Sequence, residues 1–497
     1  MIDFKRFCYA SVWTILISLL FSMTVFSQSP IYVNINATGA NTGDDWENAF
    51  TTIQAGIDAA NANAVEVWVA RGIYYENIQL YGNVALYGGF SGSENERSQR
   101  NLSRNQSIID GSNTWRAVEI TGHNIIDGFI VQHGFFAYDD NDDGRGGGIF
   151  LEQAHGTIIR KCRVQENLSD RGAIYVSSTE DVLVEYCVVA NNHGVVCAGG
   201  IELNYSTGIV RQCTIVDNIS FGIEIPHRED QLLAVLYNNI VVGNVFNNHP
   251  RFAEPLPDND LYQMAKMSND HNFIGKIWDY SPIFGDPFNH DNLYGDYDSL
   301  TPEFMDHDNG DFHLRYNSPC IGTGRAGTTM GAFPEIVCAI SGTVIYWNND
   351  TPMENVLLTV LGNGITDSVH TDNSGFYDLI DLPIINENTM YTITPMQLDT
   401  ADLNVHITID DAISVAQYVM NNSSFNEYQT VAADCNRDGV VDMYDAALIA
   451  RSVHQSTSLY DVGNCVFYPS EKTYNTLMEN ATDVNFRVVI VGDVDGE

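Results

Sequence analysis

Positive charge is what this chain lacks most: 23 Lys and Arg stand against 64 Asp and Glu in 497 residues, a formal charge of -41. Such a surface repels nucleic-acid phosphates and anionic membranes, which argues against a nucleic-acid role and suits calcium and solubility outside a cell. Long apolar runs are scarce too. The run from Ser11 to Phe26 follows Lys5 and Arg6, is short for a membrane span and leads through Val25, Phe26 and Ser27 to Gln28. That order reads as a secretory signal peptide over residues 1–27, with no membrane span after cleavage; a retained anchor helix is the other reading. No cysteine follows the run where a lipoprotein would need one, since Cys8 precedes it. Export permits disulfides, and Cys435 with Cys465 and Cys320 with Cys338 are the pairs to test as bridges.

The chain is too long for one core and implies about three domains. Internal repetition defines the first. Asn167, Asn192, Asn218 and Asn244 recur at spacings of 25, 26 and 26, five residues after Cys162, Cys187, Cys213 and Asn239. A β-rich repeat of that period is a solenoid, because one coil has too little apolar surface to fold alone. The three cysteines then fall in the buried stack, and the asparagines form a ladder in which stacked amides satisfy one another. Strands led by Gly148, Gly172, Gly200 and Gly222 begin another sheet of the same coils.

This repeat, with the opening around Ile31 and Trp46 to Gln54 and a closing segment at Gly310–Leu314 and Ser318–Ile321, resembles the right-handed parallel β-helix of the pectin-lyase-like superfamily. The resemblance spans about residues 28–335 and implies a mainly β protein whose fold hosts lyases, hydrolases, epimerases and adhesins. Residues 336–395 alternate short strands with Asn, Asp and Gly turns, which predicts a small β-sandwich. They resemble the carboxypeptidase regulatory-like module, implying a spacer. A strand-like run, Val488 to Val491, follows near the end and is expected to pack on the module described next.

Oxygen ligands stand at calcium-loop positions in Asp434, Asn436, Asp438, Val440 through its carbonyl, Asp442 and Asp445, with Gly439 sixth, where the backbone must turn. Helical apolar spacing follows Asp445. A second copy lies 34 residues earlier, since the segment from Asp411 superposes on that from Asp445; its ligands read Thr400, Asp402, Asn404, His406 through its carbonyl, Thr408 and Asp411, with Val405 in the glycine position. Paired loop-helix units of this kind resemble the type I dockerin module, a small α-helical fold, here within residues 396–497. The resemblance implies calcium as cofactor and a cohesin-like or intramolecular partner. Met443 and Tyr444 occupy its recognition positions.

If Ile149, Ile174, Ile201 and Ile223 point inward, period-two alternation sets Phe150, Tyr175, Glu202 and Glu224 in one outward file, with Glu152, Ser177, Asn204 and Pro226 in the next. Glu202 and Glu224 on neighbouring coils would stand about 4.8 Å apart, close to the spacing of a retaining glycosidase pair. Phe150, Tyr175, Glu152 and Asn204 would line a sugar site. A lyase instead needs a cation beside a uronate and a base for its proton, for which Arg171, His193 and His227, with Arg145, are the candidates. Arg160, Glu185 and Arg211 at equivalent coil positions read as a structural ion ladder. The run Asp139 to Gly144 copies the first half of a calcium loop, and the polar stretch 245–310 is expected to leave the regular coils. Two functions follow: a secreted or cell-surface protein acting on polysaccharide as lyase or glycoside hydrolase, or a non-catalytic adhesin or glycan binder.

Overall fold

Three parallel sheets, two of nine strands and one of eight, form the N-terminal part of the computed structural model. The structure describes residues 29–61, 65–136, 144–226, 234–245, 261–263, 267–275, 277–279, 291–294, 301–333, 337–362, 364–384, 388–396, 407–455 and 460–496. It divides into two compact units, residues 1–300 with 324–332 and residues 301–323 with 333–497. No helix among the described residues is long and apolar enough to cross a membrane.

Each strand of the first unit pairs in parallel with the equivalent strand one coil before and one coil after. Ile174 lies opposite Ile149 and Ile201, and Ile201 opposite Ile223, so the inward column is continuous and buried. Coils stacked in this way share one core, and the predicted β-helix is the fold. The helix Ile53–Asn61 buries Ile53, Gly56, Ile57 and Ala60 against the first strands. Its start is fixed by Glu76, whose carboxylate accepts from the Ile53 and Gln54 amides at 2.7 and 3.0 Å, satisfying donors left over at a helix N-terminus.

The asparagine ladder is present as expected. Nδ2 of Asn167 donates to Oδ1 of Asn192 at 3.0 Å, Asn192 to Asn218 at 2.9 Å and Asn218 to Asn244 at 2.8 Å, all in buried positions. The residue before each rung, from Glu166 through Asn191 and Asp217 to Gly243, has positive φ, which turns the chain there. The cysteine column is buried as well, and beyond Cys213 it continues in amides: Asn239 donates to Asn272 at 2.9 Å, and Asn272 to Asn292 at 3.3 Å. That second ladder carries the coils into the polar stretch. Strands Leu261–Gln263, Met267–Asp270, Phe273–Ile274, Ile277–Asp279 and Leu293–Tyr294 all join the three sheets, so the described strands of the polar stretch continue the coils that it was expected to leave. Parallel pairing and the stacked amides of Asn239, Asn272 and Asn292 hold these described strands in the coil register despite their polar composition.

Cys187 is fully buried, and its thiol donates to the Glu185 carbonyl at 3.3 Å. In the native protein it should react with maleimide roughly a thousandfold more slowly than in the unfolded chain, since labelling requires the coils to open. Mass spectrometry of timed aliquots should find the half-buried Cys465 modified well before Cys162, Cys187 and Cys213; prompt modification of Cys187 would put the register in error. Neither expected disulfide forms: Cys320, Cys338, Cys435 and Cys465 are all free thiols, and the Cys338 thiol donates instead to the Leu382 carbonyl at 3.5 Å.

In the second unit, the segment read as a closing coil is an antiparallel pair, Phe304–Asp306 with Asp311–Leu314, reversed at Gly310 with φ 77°. Two four-stranded sheets follow as a sandwich. One orders Phe376–Pro383, Val337–Tyr346, Phe486–Ile490 and Cys465–Tyr468; the other orders Ile365–His370, Leu357–Gly362, Tyr391–Met396 and Lys472–Tyr474. Alternation in Val337–Tyr346 sends Ile340 and Val344 into a core with Leu358, Val360, Leu379, Ile393 and Phe486. The late strand-like run therefore belongs to the sandwich, between strands from before and after the helices. Helices Ile409–Val419, Glu427–Ala433 and Met443–Gln455 complete the unit. Thr408 and Asn426 cap the first two, and Val415, Ala432 and Ile449 extend the same hydrophobic core.

Candidate functional site

The file of Phe150, Tyr175, Glu202 and Glu224 is in the expected register, but it is not exposed. Glu202 is 0 % exposed and Glu224 4 %, with Phe150 and Tyr175 equally covered. Residues before the Ile201–Asn204 strand fold back over the file: the Val196 and Cys197 amides donate to the Asp170 carbonyl at 2.8 and 3.1 Å. Phe150 and Tyr175 stack at 6.0 Å, and the guanidinium of Arg116 lies 4.1 Å above Phe150. Asn204 donates to the Tyr175 hydroxyl at 2.7 Å. Glu152 is exposed and Ser177 buried, so the next file is not a continuous surface either.

Arg171 pairs with Glu202 at 2.6 Å, and the Ala198 amide donates to Glu224 at 2.7 Å. One oxygen of each glutamate and the Cys197 sulfur lie within 4.8 Å of one another. Burial, then the charge of Glu202, pushes the Glu224 carboxyl well above the carboxylate range, and burial raises the Cys197 thiol. The predicted closeness of the two acids is therefore found, while the open face that a sugar ring would need beside them is not. His193 is exposed on a separate three-stranded sheet with Phe135–Phe136 and Leu168–Ser169. His227 and the run Asp139 to Asp143 lie outside the described residues. Arg160, Glu185 and Arg211 stand in one column as expected, but only one of the expected pairs is made there: Arg211 pairs with Glu185 at 2.6 Å and with the Tyr237 hydroxyl at 2.7 Å, while Arg160 pairs with Asp127.

A constellation absent from the sequence reading lies where the third sheet ends. His133 Nδ1 is 2.8 Å from Asp110 and its Nε2 is 3.2 Å from Glu166, while Gln132 donates to Asp110 at 3.0 Å. Burial works against the Asp110 charge, but the bonds from Gln132 and His133 hold its carboxyl below the usual range; the Asp110 bond in turn raises the imidazole. Tyr75, 69 % exposed, sits one coil from Asp110 in the same column. Trp115, 48 % exposed, stands edge-on to Phe136 at 4.5 Å, and its carbonyl accepts from Asn77 at 3.3 Å. Two exposed aromatic rings therefore lie on coils that also carry a histidine held between two carboxylates. The signal available was Gly134, whose amide donates to Asn167 Oδ1 at 2.8 Å and so occupies the coil position before the ladder.

In the loop from Asp434, the Asp438 and Gly439 amides donate to the Asp434 carboxylate at 3.2 and 3.0 Å, and the Val440 amide to Asp438 at 2.9 Å. Gly439 takes φ 84°. Asp445 is buried and accepts from the Cys435 and Asp442 amides at 3.0 and 2.9 Å. Asp434, Asn436, Asp438, Asp442 and Asp445, with the Val440 carbonyl, offer only oxygen, the donor set of a hard divalent cation such as calcium. Of the earlier ligand set Thr408 and Asp411 are described; Thr400, Asp402, Asn404 and His406 are outside the described residues. Met443 and Tyr444 are exposed.

Family comparison agrees with both parts of this geometry. The model of the right handed beta helix region matches residues 64–246, and that of the dockerin type I domain matches residues 401–454. Among curated proteins, none matches the chain. Pectate lyase Pel9A is 12 % identical over 61 % of this chain and 96 % of its own, with a TM-score of 0.34. The enzymatically active domain of bacteriophage CBA120 tailspike protein 2 is 13 % identical over 74 % of this chain and 73 % of its own, with a TM-score of 0.23. The chain is thus a parallel β-helix protein that carries a C-terminal type I dockerin domain.

Proposed function

We propose that this is an extracellular module directed at polysaccharide, its β-helix engaging the glycan and its dockerin domain docking to a cohesin-type partner. The observation that carries the reading is the joining of a β-helix region and a type I dockerin domain on one chain. The face around Tyr75, Trp115 and the Asp110, His133 and Glu166 cluster supplies what a glycan needs: flat apolar rings for sugar faces, and charged groups for hydroxyls or a uronate. Burial of Glu202 and Glu224 favours a second reading, binding without turnover, because no sugar reaches that pair in the closed file.

Affinity electrophoresis against polygalacturonate and neutral β-glucans tests binding, with parallel assays for unsaturated uronates and reducing ends. Retardation is expected, and Trp115→Ala should weaken it by about tenfold, the loss of one stacked ring. Retardation with products identifies an enzyme and retardation without products supports the second reading. No retardation and no product on any of these polymers would overturn both.

A further inference from the structure

The helical region contains a second cage of oxygens whose halves come from distant parts of the chain. Asp411, buried at the twelfth position of the earlier loop, accepts at Oδ1 from the amides of Val494 and Asp495, at 2.7 and 3.1 Å, and at Oδ2 from the Thr408 amide at 2.8 Å. Asp445, twelfth in the later loop, accepts at Oδ1 from Cys435 and Asn436, at 3.0 and 3.4 Å, and at Oδ2 from Asp442 at 2.9 Å. Cys435, Asn436 and Asp442 are positions two, three and nine of that loop. By the same bonds Val494 and Asp495 stand at positions two and three, Thr408 stands at nine, and Asp493 falls at position one.

The donor chemistry agrees. Carboxylate oxygens of Asp411, Asp493 and Asp495 lie within 4.8 Å of one another, next to a residue with a hydroxyl, as a hard cation requires. Other contacts hold the tail in place: the strand Phe486–Ile490 is paired on both sides, the Gly492 amide donates to the Ala432 carbonyl at 2.7 Å, and Gln429 donates to the Val494 carbonyl at 3.1 Å. A loop search along contiguous sequence misses this arrangement, because 81 residues lie between Asp411 and Asp493 in the numbering.

We propose that the first calcium site of the dockerin domain is split, with Asp493 and Asp495 of the C-terminal tail as its first and third ligands and Thr408 and Asp411 as its ninth and twelfth. The contiguous set with Asp402 and Asn404 is thereby replaced. Calcium there would tie the last strand of the sandwich to the first helix of the dockerin domain, so the two would share one dependence on the ion. The proposal is independent of the glycan reading.

Calorimetric titration of the chelator-stripped full chain with calcium alone tests it. Two equivalents are expected, falling to one in Asp493→Asn/Asp495→Asn and staying at two in Asp402→Asn/Asn404→Ala. Should the tail variant misfold by circular dichroism, the half-buried and isosteric Asp495→Asn alone decides, with at least about tenfold weaker binding expected at one site. Two full-affinity equivalents in the tail variants, a single equivalent in the parent chain unaffected by Asp495→Asn, or loss of an equivalent in the Asp402/Asn404 variant would each overturn the split site.

Discussion

Replacing Asn192 by alanine is expected to remove roughly 3–6 kcal/mol of stability from the β-helix, by the cost of leaving several buried polar groups unpaired. Its Nδ2 donates to the Val164 and Ala190 carbonyls and to Asn218, and its Oδ1 accepts from both the amide and the Nδ2 of Asn167. Truncation strips partners from groups on three successive coils at once. Water has no path to them, because Asn167, Asn192 and Asn218 are all buried. Glu152→Ala, at an exposed position of the same scaffold, should stay within about 0.5 kcal/mol of the parent. Urea midpoints by circular dichroism measure both. An Asn192→Ala midpoint equal to that of Glu152→Ala would mean that the ladder marks the turn without stabilising it.

That ladder was legible in the sequence because its spacing is the coil itself. An amide that must meet its own copy above and below can drift neither in register nor in chemistry, so Asn167, Asn192, Asn218 and Asn244 announce the fold. The inward isoleucines were legible for the same reason. Exposure of the opposite file was not, since alternation tells which side of a strand a residue occupies and not what lies over that side. Tyr175, Glu202 and Glu224 are covered because residues 195–198 fold back, a fact held in the backbone bonds to Asp170.

Disulfides failed for a related reason: spacing carries no information on whether two Cβ atoms face each other. The Asp110, His133 and Glu166 cluster was missed because its members lie 23 and 33 residues apart, and Asp110 and His133 precede the coils that define the repeat. The loop at Asp434 was readable since all its ligands are contiguous. Asp493 and Asp495 were not recognised as ligands, because only the fold brings them to Asp411.

The covered file also yields a prediction of sign. Arg171→Met should destabilise the β-helix by about 3–5 kcal/mol at pH 8, the cost of breaking a buried ion pair from one side. Arg171 and Glu202 are 2.6 Å apart with side chains 20 % and 0 % exposed, so without the guanidinium the Glu202 charge is left in a dry site beside a second acid. Glu224 already responds to that site: burial and the Glu202 charge raise its folded-state affinity for a proton above that of the unfolded chain. Its contribution to stability is therefore complete below the unfolded carboxylate pKa and declines as pH rises from there toward the folded one. Glu224→Gln keeps an oxygen to accept from the Ala198 amide and removes the titration, so it should flatten the pH dependence and leave the protein at least as stable at pH 8. Combined with Arg171→Met it should recover part of the loss, because one negative charge in the site is gone. Urea midpoints at pH 4.5 and 8 for the two single variants and the double give the coupling directly. A loss at Arg171→Met that is small at pH 8, or unaltered by Glu224→Gln, would show that the pair is solvated and that the file opens in solution.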